Sequence, residues 1–284
     1  MSIDSTWLRC PNCMEPLSTV DVRVLGCAEG HRFDASKYGT LTLLPPRAPH
    51  TVGDSRDMLE ARSRLLGSGV YDPIVRAVGD AAATGRSPAS DHDDDSGALR
   101  IVDLGCGTGY YAAGLARRFA PAALLLVDRS PAAVRMAVRT LPGATGVVVD
   151  LWRPLPIRDD AADLAINVFA PRNAAEFARI LRRDGLLVIV VPTDRHLAEL
   201  RSLGGLLDIP TGKAEQVTAQ FAGAGFAAVS RTPVEYPVSL DADQVRATMD
   251  MGPSAHHRAD LDHAKGDVGL DVTVSVDVLL FRRN

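Results

Sequence analysis

Residues 99–110 read LRIVDLGCGTGY: a short apolar run carrying Asp103, then Gly105, Gly107 and Gly109 with Thr108 between the last two, then the start of a helix-forming segment. Such a run, bounded by a glycine turn, has the pattern of a strand buried on both faces of a parallel sheet. The glycines let the backbone approach a ligand closely at the carboxyl end of the strand, where open α/β sheets bind nucleotides. The spacing is G-x-G-x-G, not the G-x-G-x-x-G of dinucleotide-binding turns, and an acid precedes it. A carboxylate there repels a pyrophosphate and suits a cationic group.

Downstream the pattern repeats. Residues 123–127, 146–149, 163–168 and 186–191 are further short apolar runs, and residues 110–119, 131–140 and 173–181 are helix-like segments between them. Ser130 followed by Pro131 is a good helix start, because proline at the first helical position gives up only an N–H that has no helical partner. The alternation predicts a doubly wound α/β sheet. Asp128 ends the second strand about 20 residues after the turn, the position from which an acid binds the two hydroxyls of a ribose. Asp150, after the third strand, is placed to reach an adenine amino group. Residues 226–234 and 271–281 read as two longer strands with no strong helix between them.

Upstream, Cys10-Pro-Asn-Cys13 is followed after thirteen residues by Cys27, and after three more by His31. Two pairs of soft ligands at these spacings suit a tetrahedral structural zinc, each pair on a tight turn. A closed set of four ligands leaves no open position for catalysis at the metal. A segment of about 40 residues buries too little apolar surface to fold alone, so the metal is expected to supply much of its stability. Residues 41–53 hold three prolines without periodicity and read as a linker or strap; residues 54–78 suggest one or two helices broken by Gly67 and Gly69; residues 83–97 lack any bulky apolar side chain and read as a mobile acidic loop. Three regions result: a zinc-binding module at 1–40, a linker and helical strap at 41–98, and the α/β domain at 99–284.

The chain has 284 residues, 46% hydrophobic and 23% charged, which excludes disordered, collagen-like and coiled-coil classes. Its longest strand-like apolar run, residues 186–191, is far short of the roughly 20 residues that span a membrane. The first eight residues have neither a basic segment nor an apolar core, so a cytoplasmic location is expected, with reduced thiols. Cys106, with no basic neighbour, reads as a packed turn residue. The formal charge of −4, taken whole, argues against a nucleic-acid partner, but it is unevenly spread. Residues 1–80 carry 9 basic and 10 acidic groups, residues 81–98 carry 1 and 4, and residues 99–284 carry 21 of each. The acidic excess therefore lies mostly in the loop holding Asp91, Asp93, Asp94 and Asp95.

The strand, glycine turn, helix and acids together resemble the S-adenosylmethionine pocket of class I (Rossmann-like) methyltransferases, whose mostly parallel seven-stranded sheet has an antiparallel seventh strand. The wider combination is more specific: the Cys3His pattern, then HRFDASKYGTLTLLPP (31–46), GDSRDMLEARSRLLGSGVY (53–71) and DLGCGTGYY (103–111). Over nearly the whole chain it resembles the 23S rRNA (guanine-N1)-methyltransferases, a family with housekeeping members and members conferring resistance to tylosin-like macrolides. The resemblance implies zinc on Cys10, Cys13, Cys27 and His31. It places S-adenosylmethionine contacts at Tyr71, Gly107, Thr108 and His196, beside Asp103, Gly105, Gly109, Asp128 and Asp150. A tyrosine after a helix break ordinarily packs and a lone loop histidine is ordinarily just polar, so only the resemblance gives Tyr71 and His196 a role.

It further implies methyl transfer to N1 of a guanine in a domain II hairpin of 23S rRNA, and a homodimer. Asn167, Phe169 and Pro171, after the fourth strand, are candidates for the acceptor pocket. Asp150, Asp194 and His196 are unranked candidates for the general base, and Arg9, Arg23, Arg32 and Lys37 for phosphate contacts. Three departures bear on where the substrate sits: Thr108 stands where relatives often have an acid, the 150–152 segment (DLW) differs in polarity from the housekeeping type, and MGPSAHHR (251–258) lacks an aromatic after its Met-x-Pro. High Ala, Arg and Asp usage leans toward the resistance branch. Two other classes compete: a methyltransferase of small molecules or proteins, which has no need of a zinc knuckle, and a non-catalytic RNA-binding protein, which has no need of an intact glycine turn.

Overall fold

The computed structural model describes residues 3–45, 53–86, 98–203, 206–251 and 269–284. The acidic loop's aspartates and most of the 251–258 segment lie outside these residues. A ribbon of three antiparallel strands, β1 (Ser18–Asp21), β2 (Val24–Gly26) and β3 (Arg32–Asp34), follows the turn that holds Cys10 and Cys13, and its β2–β3 connection holds Cys27 and His31. Next come β4 (Thr40–Thr42), α1 (Arg56–Gly67), α2 (Asp72–Gly85), β5 (Leu99–Leu104), α3 (Tyr110–Arg118), β6 (Ala122–Asp128), α4 (Pro131–Thr140), β7 (Thr145–Val148), β8 (Ala162–Val168) and α5 (Ala174–Ile180). They are followed by β9 (Leu181–Pro192), α6 (Ala198–Ser202), α7 (Lys213–Ala222), β10 (Phe226–Leu240), α8 (Ala242–Asp250) and β11 (Leu270–Arg283). No described helix is long and apolar enough to cross a membrane.

The large sheet runs β10-β11-β9-β8-β5-β6-β7-β4. Strand β11 is antiparallel to β9, as expected of the seventh strand, and β10 is antiparallel to β11. Chain order reverses at β5, which has β6 on one side and β8 on the other. The glycine turn therefore opens at the topological switch point, where a crevice forms beyond the strand ends.

Two expectations are corrected. Among the described residues the sheet has eight strands, not seven, because residues 40–42, at the junction of the zinc module and the strap, extend it: Thr40, Leu41 and Thr42 pair in parallel with Gly146, Val147 and Val148. Three residues before a proline pair give too short a run to read as a strand; burial of Leu41 and Leu43 against the sheet makes it one. A helix also does lie between the last two strands. Helix α8 starts on a capping box between Asp241 and Gln244, and buries Val245 and Met249.

The ribbon covers a part of the sheet that would otherwise be bare. The connection from β7 to β8 contains no helix, so one face lacks its usual layer, and a parallel sheet must be buried on both sides. Trp7, Leu8, Leu17 and Leu25 fill the gap, forming one continuous core with Val102, Val127, Val147, Leu155 and Ile157. Leu8 forms a β-bridge to Ile157, and the Arg158 guanidinium donates to the carbonyls of Leu8 and Leu17 at 3.1 and 2.9 Å. The Arg100 guanidinium lies 3.8 Å from the centre of the buried Trp7 ring.

Candidate active site and zinc centre

The four metal-ligand atoms of Cys10, Cys13, Cys27 and His31 all lie within 4.8 Å of one another. Cys13 and Cys27 sulfurs are 3.6 Å apart, and Cys27 Sγ is 3.3 Å from His31 Nδ1. Tight turns present both pairs: Asn12 N–H points at Cys10 Sγ at 3.4 Å, and Gly30, at φ +80, closes the second turn by donating its N–H to the Cys27 carbonyl. Three thiols and an imidazole this close fit a tetrahedral divalent ion of zinc's softness.

At the switch point, Gly105, Gly107 and Gly109 have φ of +96, +51 and +81. A Cβ on Gly105 would lie 2.4 Å from Ala170 Cβ, and one on Gly109 would lie 2.9 Å from Ala137 Cα, so both positions exclude a side chain by contact as well as conformation. Thr108 is buried within the turn. Asp103 is only 2% exposed, and its Oδ2 has no hydrogen-bond partner. Burial, with the Asp128 charge adding to it, pushes the Asp103 carboxyl up to about 8. A buried acceptor left without a partner is costly unless a ligand supplies one, and the ammonium of S-adenosylmethionine has the matching charge.

Asp128 receives the N–H groups of Gly107 at 3.0 Å and Ser130 at 2.8 Å, one on each carboxylate oxygen. Each oxygen keeps a lone pair for a ribose hydroxyl. Asp150 is buried, accepts the Trp152 N–H at 3.1 Å and is paired with Arg129. Sequence reading missed Arg62, which binds Asp54 and donates to the Met251 carbonyl at 2.7 Å. It closes over the glycine turn, 3.4 Å from where a Gly107 Cβ would stand. One arginine on an amphipathic helix carries no signal of such a position.

Tyr71, Phe169 and His196, distant in sequence, converge beside this cradle. The Phe169 and His196 rings stack at 5.8 Å and 30°, and Tyr71 meets Phe169 edge-on at 6.4 Å. Tyr71 and His196 are buried, whereas Phe169 is 42% exposed with an unusual φ of +53. His196 Nδ1 accepts the Ser275 N–H at 3.2 Å, which assigns the ring proton to Nε2, 3.5 Å from Tyr71 Oη. Burial and the Arg201 charge lower the imidazole to about 4, so it stays neutral with no lone pair to spare. Burial drives the Tyr71 phenol far above its usual range. Asn167 is fully buried and donates to the carbonyls of Leu104 and Pro171 at 2.8 and 2.9 Å, shaping the acceptor loop from beneath. Pro171 lies exposed on that loop, and Asp194 lies exposed two residues before His196.

Residues 101–185 match the model described as Methyltransferase domain, and residues 8–51 match the zinc-ribbon model described as RlmA, N-terminal. The 23S rRNA (guanine(748)-N(1))-methyltransferase of Streptomyces fradiae is 41% identical over 252 residues, spanning 89% of this chain and 86% of that protein. A candidate 23S rRNA (guanine-N(1)-)-methyltransferase of Micromonospora griseorubida is 38% identical across 97% of this chain and 96% of its own length. This chain belongs to the 23S rRNA (guanine-N1)-methyltransferases. The family's relatives extend to Bacillus subtilis, with a candidate member 31% identical over 98% of both chains. At fold level alone, a candidate sarcosine dimethylglycine methyltransferase from Galdieria sulphuraria superposes with a TM-score of 0.51 at 13% identity, covering 80% of this chain and 98% of that one.

The methyltransferase thus uses S-adenosylmethionine and structural zinc, and the residues present fit both. Cys106 is buried in the turn, where burial and the neighbouring Asp128 and Asp103 charges raise its thiol well above the usual range and favour the protonated form. One RNA-contact expectation is corrected. Arg9 binds Asp159 through two hydrogen bonds of 2.9 and 2.8 Å, so it is a docking contact between the N-terminal module and the sheet and not a free phosphate contact. Arg23, Arg32 and Lys37 are exposed.

Proposed function

We propose that this methyltransferase transfers the methyl group of S-adenosylmethionine to N1 of a guanine in a domain II hairpin of 23S rRNA, and that the product lowers sensitivity to tylosin-type macrolides. The observation that carries the reading is Phe169: an aromatic ring held half-exposed in a left-handed conformation, backed by His196 and Tyr71, beside the glycine turn. A planar base withdrawn from its stack finds there a face to lie on and a cofactor alongside. The Streptomyces fradiae relative is named for N1 of guanine 748 of 23S rRNA, which supports N1 of a single 23S rRNA guanine as the acceptor.

The cofactor, when bound, supplies an electrophilic methyl group. Asp103 holds its ammonium, Asp128 its ribose, and the three glycines admit it to the turn; Asp150 borders the adenine end. Tyr71 and His196 contact the cofactor and back the Phe169 ring on which the guanine lies, so that orientation contributes most of the acceleration. Of the three candidate bases, Asp150 is held by Arg129 and His196 has no free lone pair. Asp194, exposed two residues before His196, is the candidate to take the N1 proton.

Arg23, Arg32, Lys37 and the half-exposed Tyr38, which lies under the cations of Lys37 and Arg139 at 5.0 and 5.4 Å, form the RNA-reading face of the 1–40 module. Two copies of the chain would join these faces into one cleft. The test is methylation of 23S rRNA followed by primer extension: a stop within the domain II hairpin is expected, and its absence overturns the reading. Charge reversal of Arg32 and Lys37 together is expected to weaken RNA binding and leave cofactor affinity unchanged.

A further inference from the structure

Trp152 is 69% exposed, more than any other aromatic residue among those described, while the chain's other tryptophan, Trp7, is 1% exposed. Its exposure is not that of a loose loop. Trp152 N–H is bound by Asp150 Oδ1, Arg153 N–H by the Asp150 carbonyl at 3.0 Å, and Asp150 itself is paired with Arg129. Further along, Asn173 Nδ2 lies 3.4 Å from the Arg153 carbonyl, and Leu155 N–H donates to Glu176 at 2.6 Å. Asn173 and Glu176 begin the helix that follows the acceptor loop, so the Trp152 loop is fastened to the segment that carries Phe169 and Pro171. Both exposed rings therefore stand on one rim, at the carboxyl edge of the sheet. Next to the indole, Arg153 is 43% exposed, and its ion pair is a long 3.6 Å contact to an Asp150 already held by Arg129.

A rigidly presented, solvated indole beside a half-engaged guanidinium matches the chemistry of an unpaired nucleotide, which offers a π-face and a phosphate. We infer that Trp152 is a stacking platform for a nucleotide flanking the methylated guanine, with Arg153 on its phosphate. This rests on the rRNA reading above. Trp152 holds the substrate strand in place while Phe169 receives the target base; it is a positioning residue and takes no part in the transfer itself.

The two tryptophans make the test direct, because Trp7 is shielded. With the full-length zinc-loaded protein and S-adenosylhomocysteine present throughout, adding the domain II hairpin is expected to quench Trp152 fluorescence and protect it from acrylamide. Trp152→Ala is expected to raise the KM for the hairpin by about 5- to 100-fold, with kcat and cofactor affinity within twofold of wild type, and Trp152→Phe to restore most of the loss. An abasic site beside the target guanine should weaken wild type and leave W152A unaffected.

If wild type methylates the mapped guanine but W152A keeps its KM and RNA leaves Trp152 accessible, the inference is overturned while the rRNA reading stands. If wild type yields no stop in the hairpin, that reading fails and this inference with it. Protection of Trp152 by S-adenosylhomocysteine alone, or by raised protein concentration without RNA, would make the cofactor or a second copy its occupant and also overturn it.

Discussion

The guanidinium of Arg9 grips the carboxylate of Asp159 with two parallel hydrogen bonds of 2.9 and 2.8 Å, across 150 positions of sequence. Arg179 reaches the same carboxylate at 2.6 Å. Together Arg179 and Arg9 hold the Asp159 carboxyl below its usual range. A lowered carboxylate pKa contributes stability that is present above the unfolded value, near 4, and is lost as pH falls through the folded one. Because Asp159 is 46% exposed, solvent screens the pair. Arg9→Ala and Asp159→Asn are each expected to destabilise the docked ribbon slightly, with a coupling energy below about 1 kcal/mol in a double-mutant cycle. Arg9→Ala should leave the KM for RNA unchanged, which a phosphate contact would not.

Because the ribbon supplies the missing layer of the large sheet, metal removal should be felt beyond the ribbon. Chelation, or Cys27→Ala, is expected to lower the melting temperature of the whole chain as a single transition and to expose Trp7 to solvent. A separate low-temperature transition in calorimetry, with the main one unmoved, would contradict this. Trp7→Ala should cost about 3–5 kcal/mol on its own, since it vacates a fully buried site.

Asp103 sits in the free protein without a partner for Oδ2, its carboxyl raised to about 8. A raised folded pKa means stability that is complete below the unfolded value near 4 and lost as pH rises through the folded one. Asp103→Asn should therefore make the free protein more stable at pH 8 and above, by several degrees, and remove this slope. The same substitution should weaken S-adenosylmethionine binding by roughly 10- to 100-fold, the value of a hydrogen bond to a charged group. Calorimetry in buffers of different ionisation enthalpy should show proton release on cofactor binding below pH 8, and none in D103N.

Phe169 holds a left-handed backbone conformation that costs an L-residue about 1–2 kcal/mol. Its ring is 42% exposed, so packing returns little. Phe169→Gly should leave stability within about 1 kcal/mol of wild type, while methyl transfer to RNA drops at least tenfold and cofactor affinity holds. Phe169→Tyr should keep most activity. A large stability loss in F169G would make the ring a packing element.

What the sequence determined by itself is what short-range geometry controls. Cys10 with Cys13 and Cys27 with His31 lie close because each pair shares a turn, and two soft pairs name their metal. Asp103 and the three glycines read together because strand, turn and helix are contiguous, and a strand end followed by Asp128 repeats the unit. Tertiary structure decided whatever depends on strand order and on which surfaces must be covered. Tyr71, Phe169 and His196 meet only because β8 and β9 lie side by side and α2 begins above them. Arg9 became a docking residue because the β7 to β8 connection has no helix and the ribbon had to fill its place. Residues 40–42 became an eighth strand because β7 left an edge to pair. No spacing along the chain encodes these contacts; they follow from burying both faces of one sheet.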